Sequence, residues 1–193
     1  AKPRGAVTSL KALRAAVFID RDGTVIEETE YLSDPAGVLI LPGAIAGMKA
    51  LLDAGFPLVL VTNQAGIARG YYTVDDYEAV AVRLSEMLEA EGVQVEGTYF
   101  CPHHPDVTGP CDCRKPATGM YRQSAAAHGL DLGRSFYIGD KLSDVLPALE
   151  LGGLGVLVRT GYGRELEAEA PDAVHVVDDL EEAAGLIVSR SLR

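Results

Sequence analysis

Short apolar, β-branched runs alternate with helix-length stretches along this 193-residue chain, and that alternation limits the fold more than any other feature. Residues 15–19, 57–62, 98–101, 135–138, 155–158 and 174–177 read as strands. Apolar runs of that length fit strands buried on both faces. Between them, 44–54, 74–91, 119–128, 143–151 and 180–188 carry helical spacing. Gly55, Gly92 and Gly129 follow three of these segments, where a left-handed residue ends a helix. Thr73 is placed to cap the second, and Pro147 either sits near the first turn of the fourth or kinks it. The order predicts an α/β fold: a mostly parallel sheet between two helical layers, a Rossmann-like three-layer α/β/α arrangement. Ligands of such sheets collect at the carboxyl ends of the strands. Asp20, Thr62 and Asp140 each end an apolar run, so the topology predicts that they surround one site. Residues 1–14 read as an N-terminal tail and 15–193 as a single domain without internal repeats.

Composition narrows the function. A net charge of -11 argues against a general nucleic-acid binder and against an anionic membrane surface. An anionic substrate would need a local cationic pocket. No apolar run approaches the length of a membrane span. The four basic residues among positions 1–14 precede no continuous apolar core and do not read as a secretory signal. The expected compartment is the cytoplasm, where three cysteines serve poorly as disulfides.

The fragment Phe18-Ile19-Asp20-Arg21-Asp22-Gly23-Thr24 carries the chemistry. Two acids spaced i, i+2 in extended chain fall on one side, and Gly23 lets the backbone turn. Convergent acids at the end of a buried strand repel one another. A bound cation would explain them, and so would a division of labour between nucleophile and acid.

This strand–DxDGT pattern resembles the first motif of the haloacid dehalogenase (HAD) superfamily of phosphohydrolases. The resemblance implies that Asp20 is the nucleophile and Asp22 the general acid/base. Three further fragments extend it in order. Thr62-Asn63-Gln64 matches the second motif, in which a hydroxyl and nearby amides hold phosphoryl oxygens. Arg114-Lys115-Pro116 matches the third, with Lys115 neutralising the phosphate, and Gly139-Asp140-Lys141-Leu142-Ser143-Asp144 matches the acidic fourth. The implied catalytic cofactor is Mg²⁺ on Asp20, Asp140 and a main-chain carbonyl near Asp22, since Mg²⁺ takes hard oxygen ligands. Asp144 is expected to act behind them or to orient Lys115.

Every cysteine falls in one stretch, Cys101-x-His103-His104…Cys111-x-Cys113. Cys101, His103, Cys111 and Cys113 make a donor set suited to a closed tetrahedral Zn²⁺ site, with His104 as the alternative to His103. Pro102, Pro105, Gly109 and Pro110 make residues 101–113 a loop not expected to form helix or strand, which a metal would order. The clip adjoins Arg114-Lys115 and would position that cationic pair.

With this loop, the chain resembles two related groups of small HAD phosphatases. One acts on the 7-phosphate of D-glycero-D-manno-heptose 1,7-bisphosphate, the other on histidinol phosphate. Gln64-Ala65-Gly66-Ile67-Ala68-Arg69-Gly70 and the Lys141 that follows Gly139-Asp140 favour the heptose group. The resemblance implies substrate contacts from Arg69, Asn63 and Gln64, and from Glu28, Thr29, Glu30 and Tyr31 in a minimal cap after the first motif. Arg114 and Lys141 supply cations for a second phosphate. The implied partner is a small phosphorylated metabolite, with no nucleic acid or membrane, and the implied state is a monomer. Two competing readings are a catalytically inactive phosphate-binding module and a DNA-end phosphatase. Retention of Asp20, Asp22, Thr62, Lys115 and Asp140 counts against the first. The net charge and the lack of a basic stripe count against the second.

Overall fold

A computed structural model describes residues 12–192; residues 1–11 of the expected tail lie outside them. Six parallel strands form one sheet: β1 (Val17–Ile19), β2 (Leu58–Asn63), β3 (Gly97–Cys101), β4 (Phe136–Gly139), β5 (Leu154–Val158) and β6 (His175–Val177). Their order is β3-β2-β1-β4-β5-β6. The direction of winding reverses between β1 and β4, which opens a crevice at their carboxyl ends. Arg14 already belongs to this framework, because its N–H donates to the Gly129 carbonyl at 3.1 Å.

The strands bury both faces, so alternate residues enter different cores. Val17, Ile19, Leu58, Leu60, Val156 and Val158 join one apolar cluster. It is covered by α1 (Ala44–Asp53), α3 (Val74–Ala90) and α9 (Leu180–Ser191) through Met48, Leu51, Val80, Leu84 and Ile187. Phe18, Val59, Val61 and Tyr137 face the opposite layer, where α5 (Gly119–His128) contributes Met120 and Tyr121. Phe18 stacks on Tyr137 at 5.1 Å between ring centroids and meets Tyr121 edge-on at 5.2 Å. Each such pair adds about 1 kcal/mol beyond the area it buries.

Short elements complete the chain: α2 (Ala65–Ala68), α4 (Pro105–Thr108), α6 (Leu142–Val145), α7 (Pro147–Leu151) and α8 (Gly163–Leu166). Three of them correct the sequence reading. The single helix expected over 143–151 is divided into α6 and α7. Pro147 has no N–H to continue the first helix and instead occupies the first turn of the second. The cysteine-rich segment is not all loop either. Cys101 ends β3, and one helical turn forms over Pro105–Thr108, with Pro105 at its start and the His104 Nδ1 accepting from the Asp106 N–H at 3.3 Å. Among the described residues, no helix is long and apolar enough to cross a membrane.

Candidate active site

The ends of β1, β2 and β4 converge on a cavity of about 340 Å³. Asp20, immediately after β1, is buried beside Lys115, whose ammonium donates to Asp20 Oδ1 at 2.7 Å. The same ammonium reaches Asp144 Oδ1 at 2.8 Å and the Val61 carbonyl at 2.6 Å. Asp144 is thus placed to orient Lys115, one of the two roles the sequence suggested for it. Asn63 clamps the lysine backbone: its Nδ2 donates to the Lys115 carbonyl at 3.1 Å and its Oδ1 accepts from the Lys115 N–H at 3.0 Å. Asn63 also lines the cavity, as expected, with one bond from each end of its amide given to the Lys115 backbone.

Asp140, at the end of β4, has one carboxylate oxygen fixed and one free. Its Oδ2 accepts from the Tyr162 N–H at 2.9 Å, whereas Oδ1 is buried without any partner. Gly23 (φ 80°) and Gly161 (φ 53°) lie against each other and against Asp140, and a Cβ on either would overlap its Oδ2. Thr160 Oγ1 ties these segments by donating to the Gly23 carbonyl at 2.7 Å.

The electrostatics call for a cation. Asp20, Asp140 and Asp144 offer oxygens within 4.8 Å of one another, and the Lys115 ammonium pairs with two of them, Asp20 and Asp144. Burial pushes the Asp20 carboxyl well above its ordinary range; Asp144 adds to the rise and Lys115 opposes it. Burial, then Asp144, pushes Asp140 up to about 7. Burial alone would lower the Lys115 ammonium, but Asp144 and Asp20 outweigh it and hold the proton on. A divalent ion would relieve the excess negative charge, and the orphaned Asp140 Oδ1 faces no other partner. These residues fit Mg²⁺.

Asp22 is held apart from this acidic group. Arg21 donates to both of its oxygens, at 3.0 Å from Nε and 2.9 Å from Nη2. Gln64 Nε2 donates to Asp22 Oδ2 at 2.9 Å and to Thr62 Oγ1 at 2.7 Å, and Tyr72 donates to Gln64 Oε1 at 2.6 Å. Gln64 lines the cavity, and both ends of its side-chain amide also bond within the protein.

Glu28, Glu30 and Tyr31 line the mouth of the cavity together with Arg114, Lys141 and Tyr162. Lys141 Nζ pairs with Glu28 at 2.9 Å and lies 4.6 Å from the centre of the Tyr162 ring. Arg114 Nη1 donates to the His103 carbonyl at 3.2 Å. Thr29 and Arg69 are not brought to the cavity lining. Arg69 is a correction: α2 turns it toward the zinc-type loop, where its Nη2 lies 2.8 Å from His104 Nε2.

The four expected soft ligands do come together. Cys113 Sγ lies 2.9 Å from Cys101 Sγ and 3.3 Å from Cys111 Sγ, with His103 Nδ1 at 3.2 Å. His104 caps α4 and faces Arg69 instead. All three thiols are free. Four such donors around one point, spaced for a single small ion, fit a closed Zn²⁺ site.

Sequence reasoning overlooked Arg21, Tyr72, Gly161 and Tyr162. Arg21 did carry a signal, since an arginine directly after a buried apolar run needs a fixed partner. Tyr72, Gly161 and Tyr162 lie in turns whose approach to the site only the fold reveals.

Comparison with known proteins agrees with this geometry. The HAD-hydrolase-like family model matches residues 112–183. A D-glycero-beta-D-manno-heptose-1,7-bisphosphate 7-phosphatase of Yersinia pestis is 40% identical over 161 residues, covering 80% of this chain and 86% of the relative. A D-glycero-D-manno-heptose-1,7-bisphosphate 7-phosphatase of Thermosynechococcus vestitus is 40% identical over 182 residues, covering 86% and 92%. Among solved structures, a D,D-heptose 1,7-bisphosphate phosphatase from B. bronchiseptica, complexed with magnesium and phosphate, superposes with a TM-score of 0.83. It is 33% identical, and the match covers 91% of this chain and 99% of that one.

Proposed function

This chain belongs to the HAD-type phosphatases, in the family of the heptose-bisphosphate 7-phosphatases, and we propose that it hydrolyses the 7-phosphate of D-glycero-D-manno-heptose 1,7-bisphosphate. The observation that carries the reading is the buried triad Asp20, Asp140 and Asp144 around Lys115, with Asp140 Oδ1 left unpartnered.

Asp20 attacks phosphorus, and the bond to the leaving oxygen breaks as the aspartyl-phosphate forms. Asp22 gives its proton to that oxygen. It then takes one from the water that attacks the same phosphorus, which releases phosphate and restores Asp20. Lys115 and the Thr62 hydroxyl stabilise charge on the equatorial oxygens. Asp20, Asp140 and the main-chain carbonyl of Asp22 would hold Mg²⁺, which would supply the positive charge that a carboxylate needs to meet a phosphate dianion. Arg114 and Lys141 bind the second phosphate at the mouth, and Glu28, Glu30 and Tyr31 accept and orient sugar hydroxyls. Cys101, His103, Cys111 and Cys113 would hold Zn²⁺, which would order the loop that leads into Arg114-Lys115. Reduced, clustered cysteines suit a cytoplasmic enzyme, and a site built within one chain suits a monomer.

The test is phosphate release from heptose 1,7-bisphosphate and from histidinol phosphate, side by side, with an Asp20→Asn control. Mg²⁺-dependent preference for the bisphosphate, abolished in the control, is the expected result. Preference for histidinol phosphate would keep the mechanism and overturn the substrate. Full activity in the control would overturn the nucleophile.

A further inference from the structure

Asp22 has two duties at different protonation states, so its carboxyl must stay aimed at one oxygen while its charge changes. The structure supplies an unusual holder. Successive side chains of an extended segment point to opposite faces. Arg21 and Asp22 are neighbours in sequence, yet they pair side chain to side chain through two bonds, because the chain leaves the extended β1 and bends at Arg21. Arg21 is only 2% exposed. Its guanidinium carbon lies 5.4 Å from the centre of the Tyr77 ring on α3, and its Nη1 has no hydrogen-bond partner. Burying a permanent charge for one local ion pair is a poor source of stability. As a device for fixing a planar carboxyl, a two-pronged guanidinium locked beneath an aromatic ring works well.

A second brace acts at right angles to the sequence. Gln64 Nε2 bridges Asp22 and the Thr62 hydroxyl, and the Tyr72 hydroxyl determines which way the Gln64 amide points. Burial pushes the Tyr72 hydroxyl up to about 12, against the nearby Arg21 charge, so it remains a donor to Gln64 Oε1 at neutral pH. A reversed amide would turn its oxygen toward the Asp22 carboxylate.

We propose that Arg21, backed by Gln64 and Tyr72, is a positioning residue that aims the Asp22 carboxyl at the leaving oxygen. This rests on the reading of Asp22 as the general acid. None of the three is assigned a contact with phosphorus; their effect runs through Asp22.

The consequence is selective by leaving group. p-Nitrophenolate departs without a proton, whereas a sugar alkoxide does not. kcat/KM reports steps up to phosphoryl transfer onto Asp20, so the later duty of Asp22 as a base does not enter it. The experiment measures kcat/KM of the full chain with Mg²⁺ on p-nitrophenyl phosphate and on heptose 1,7-bisphosphate. The variants are Asp22→Asn, Arg21→Met, Arg21→Lys and Tyr72→Phe, with circular dichroism as the check on folding. Loss of a general acid costs about 10²–10⁴-fold, so Arg21→Met is expected to lose at least about tenfold on the sugar phosphate and under about threefold on the aryl ester. Arg21→Lys should recover part of the loss. Tyr72→Phe, which removes one hydroxyl, should show the same selectivity at smaller size and decides the matter if Arg21→Met does not fold. Equal losses on both esters, or none, with Asp22→Asn still selective, would overturn the positioning role. An unselective Asp22→Asn would overturn the general-acid reading beneath it.

Discussion

Single atoms decide most of what this site can do. Asp140 illustrates it: one oxygen is used by the Tyr162 N–H and the other is left bare in a buried wall. That asymmetry depends on Gly23 and Gly161, which lie against the carboxyl where a methyl group would not fit. Gly161→Ala adds a side chain at φ 53°, a left-handed conformation that costs about 1–2 kcal/mol for a residue with a Cβ, in addition to the overlap. We expect the variant to bind Mn²⁺, a probe for Mg²⁺, at least about tenfold more weakly by calorimetry. Unchanged Mn²⁺ affinity in a folded Gly161→Ala protein would refute this account of the carboxyl. Asn63 was legible as a site residue, but its hold on the Lys115 backbone was not. The sequence shows an amide after a strand, whereas its two bonds to the Lys115 backbone exist only because β2 and the segment at 115 lie side by side.

At the scale of elements, the local chemistry was largely readable. Thr73 begins α3, and the structure adds a reciprocal partner: Thr73 Oγ1 accepts from the Asp76 N–H at 3.2 Å while Asp76 Oδ2 accepts from the Thr73 N–H at 2.8 Å. Thr73→Ala should lower stability by about 1 kcal/mol in chemical denaturation. The same box has a pH signature. The Thr73 N–H, then its hydroxyl, hold the Asp76 carboxyl below its ordinary 3.8. A depressed acid stabilises the fold above its unfolded value and loses that contribution as pH falls through the lower folded value. The deficit in melting temperature of Asp76→Asn should therefore be complete at neutral pH and shrink as the pH falls below 3.8; a deficit independent of pH would contradict it. Elements of one turn escaped the reading because four or five residues carry no resolvable period. The break between α6 and α7 shows the same limit, where one proline outweighs an otherwise continuous helical pattern.

For the whole molecule, the zinc-type loop joins an edge strand to Lys115. Cys101 closes β3, Cys113 precedes Arg114, and Asn63 on β2 holds Lys115. Removing the metal should therefore act at both ends. A zinc-selective chelator is expected to lower the melting temperature and to reduce phosphatase activity even with Mg²⁺ in excess. An unchanged melting temperature after the zinc content has fallen to zero would show that the loop orders itself. The α/β class, the parallel sheet, the order of the motifs and the cysteine ligand set were all determined by the sequence alone. Hydrophobic period, glycine and proline placement and ligand chemistry are local properties, and each survives without knowledge of what packs against it. Only the tertiary structure decided that His103 rather than His104 joins the cysteines, that Arg69 meets His104, and that Asn63 and Gln64 hold protein partners while lining the cavity. It also decided that Arg21 grips its own neighbour. Those outcomes depend on which backbone segments meet at the reversal between β1 and β4. A side chain a few ångströms long takes its partner from whatever the sheet brings within reach.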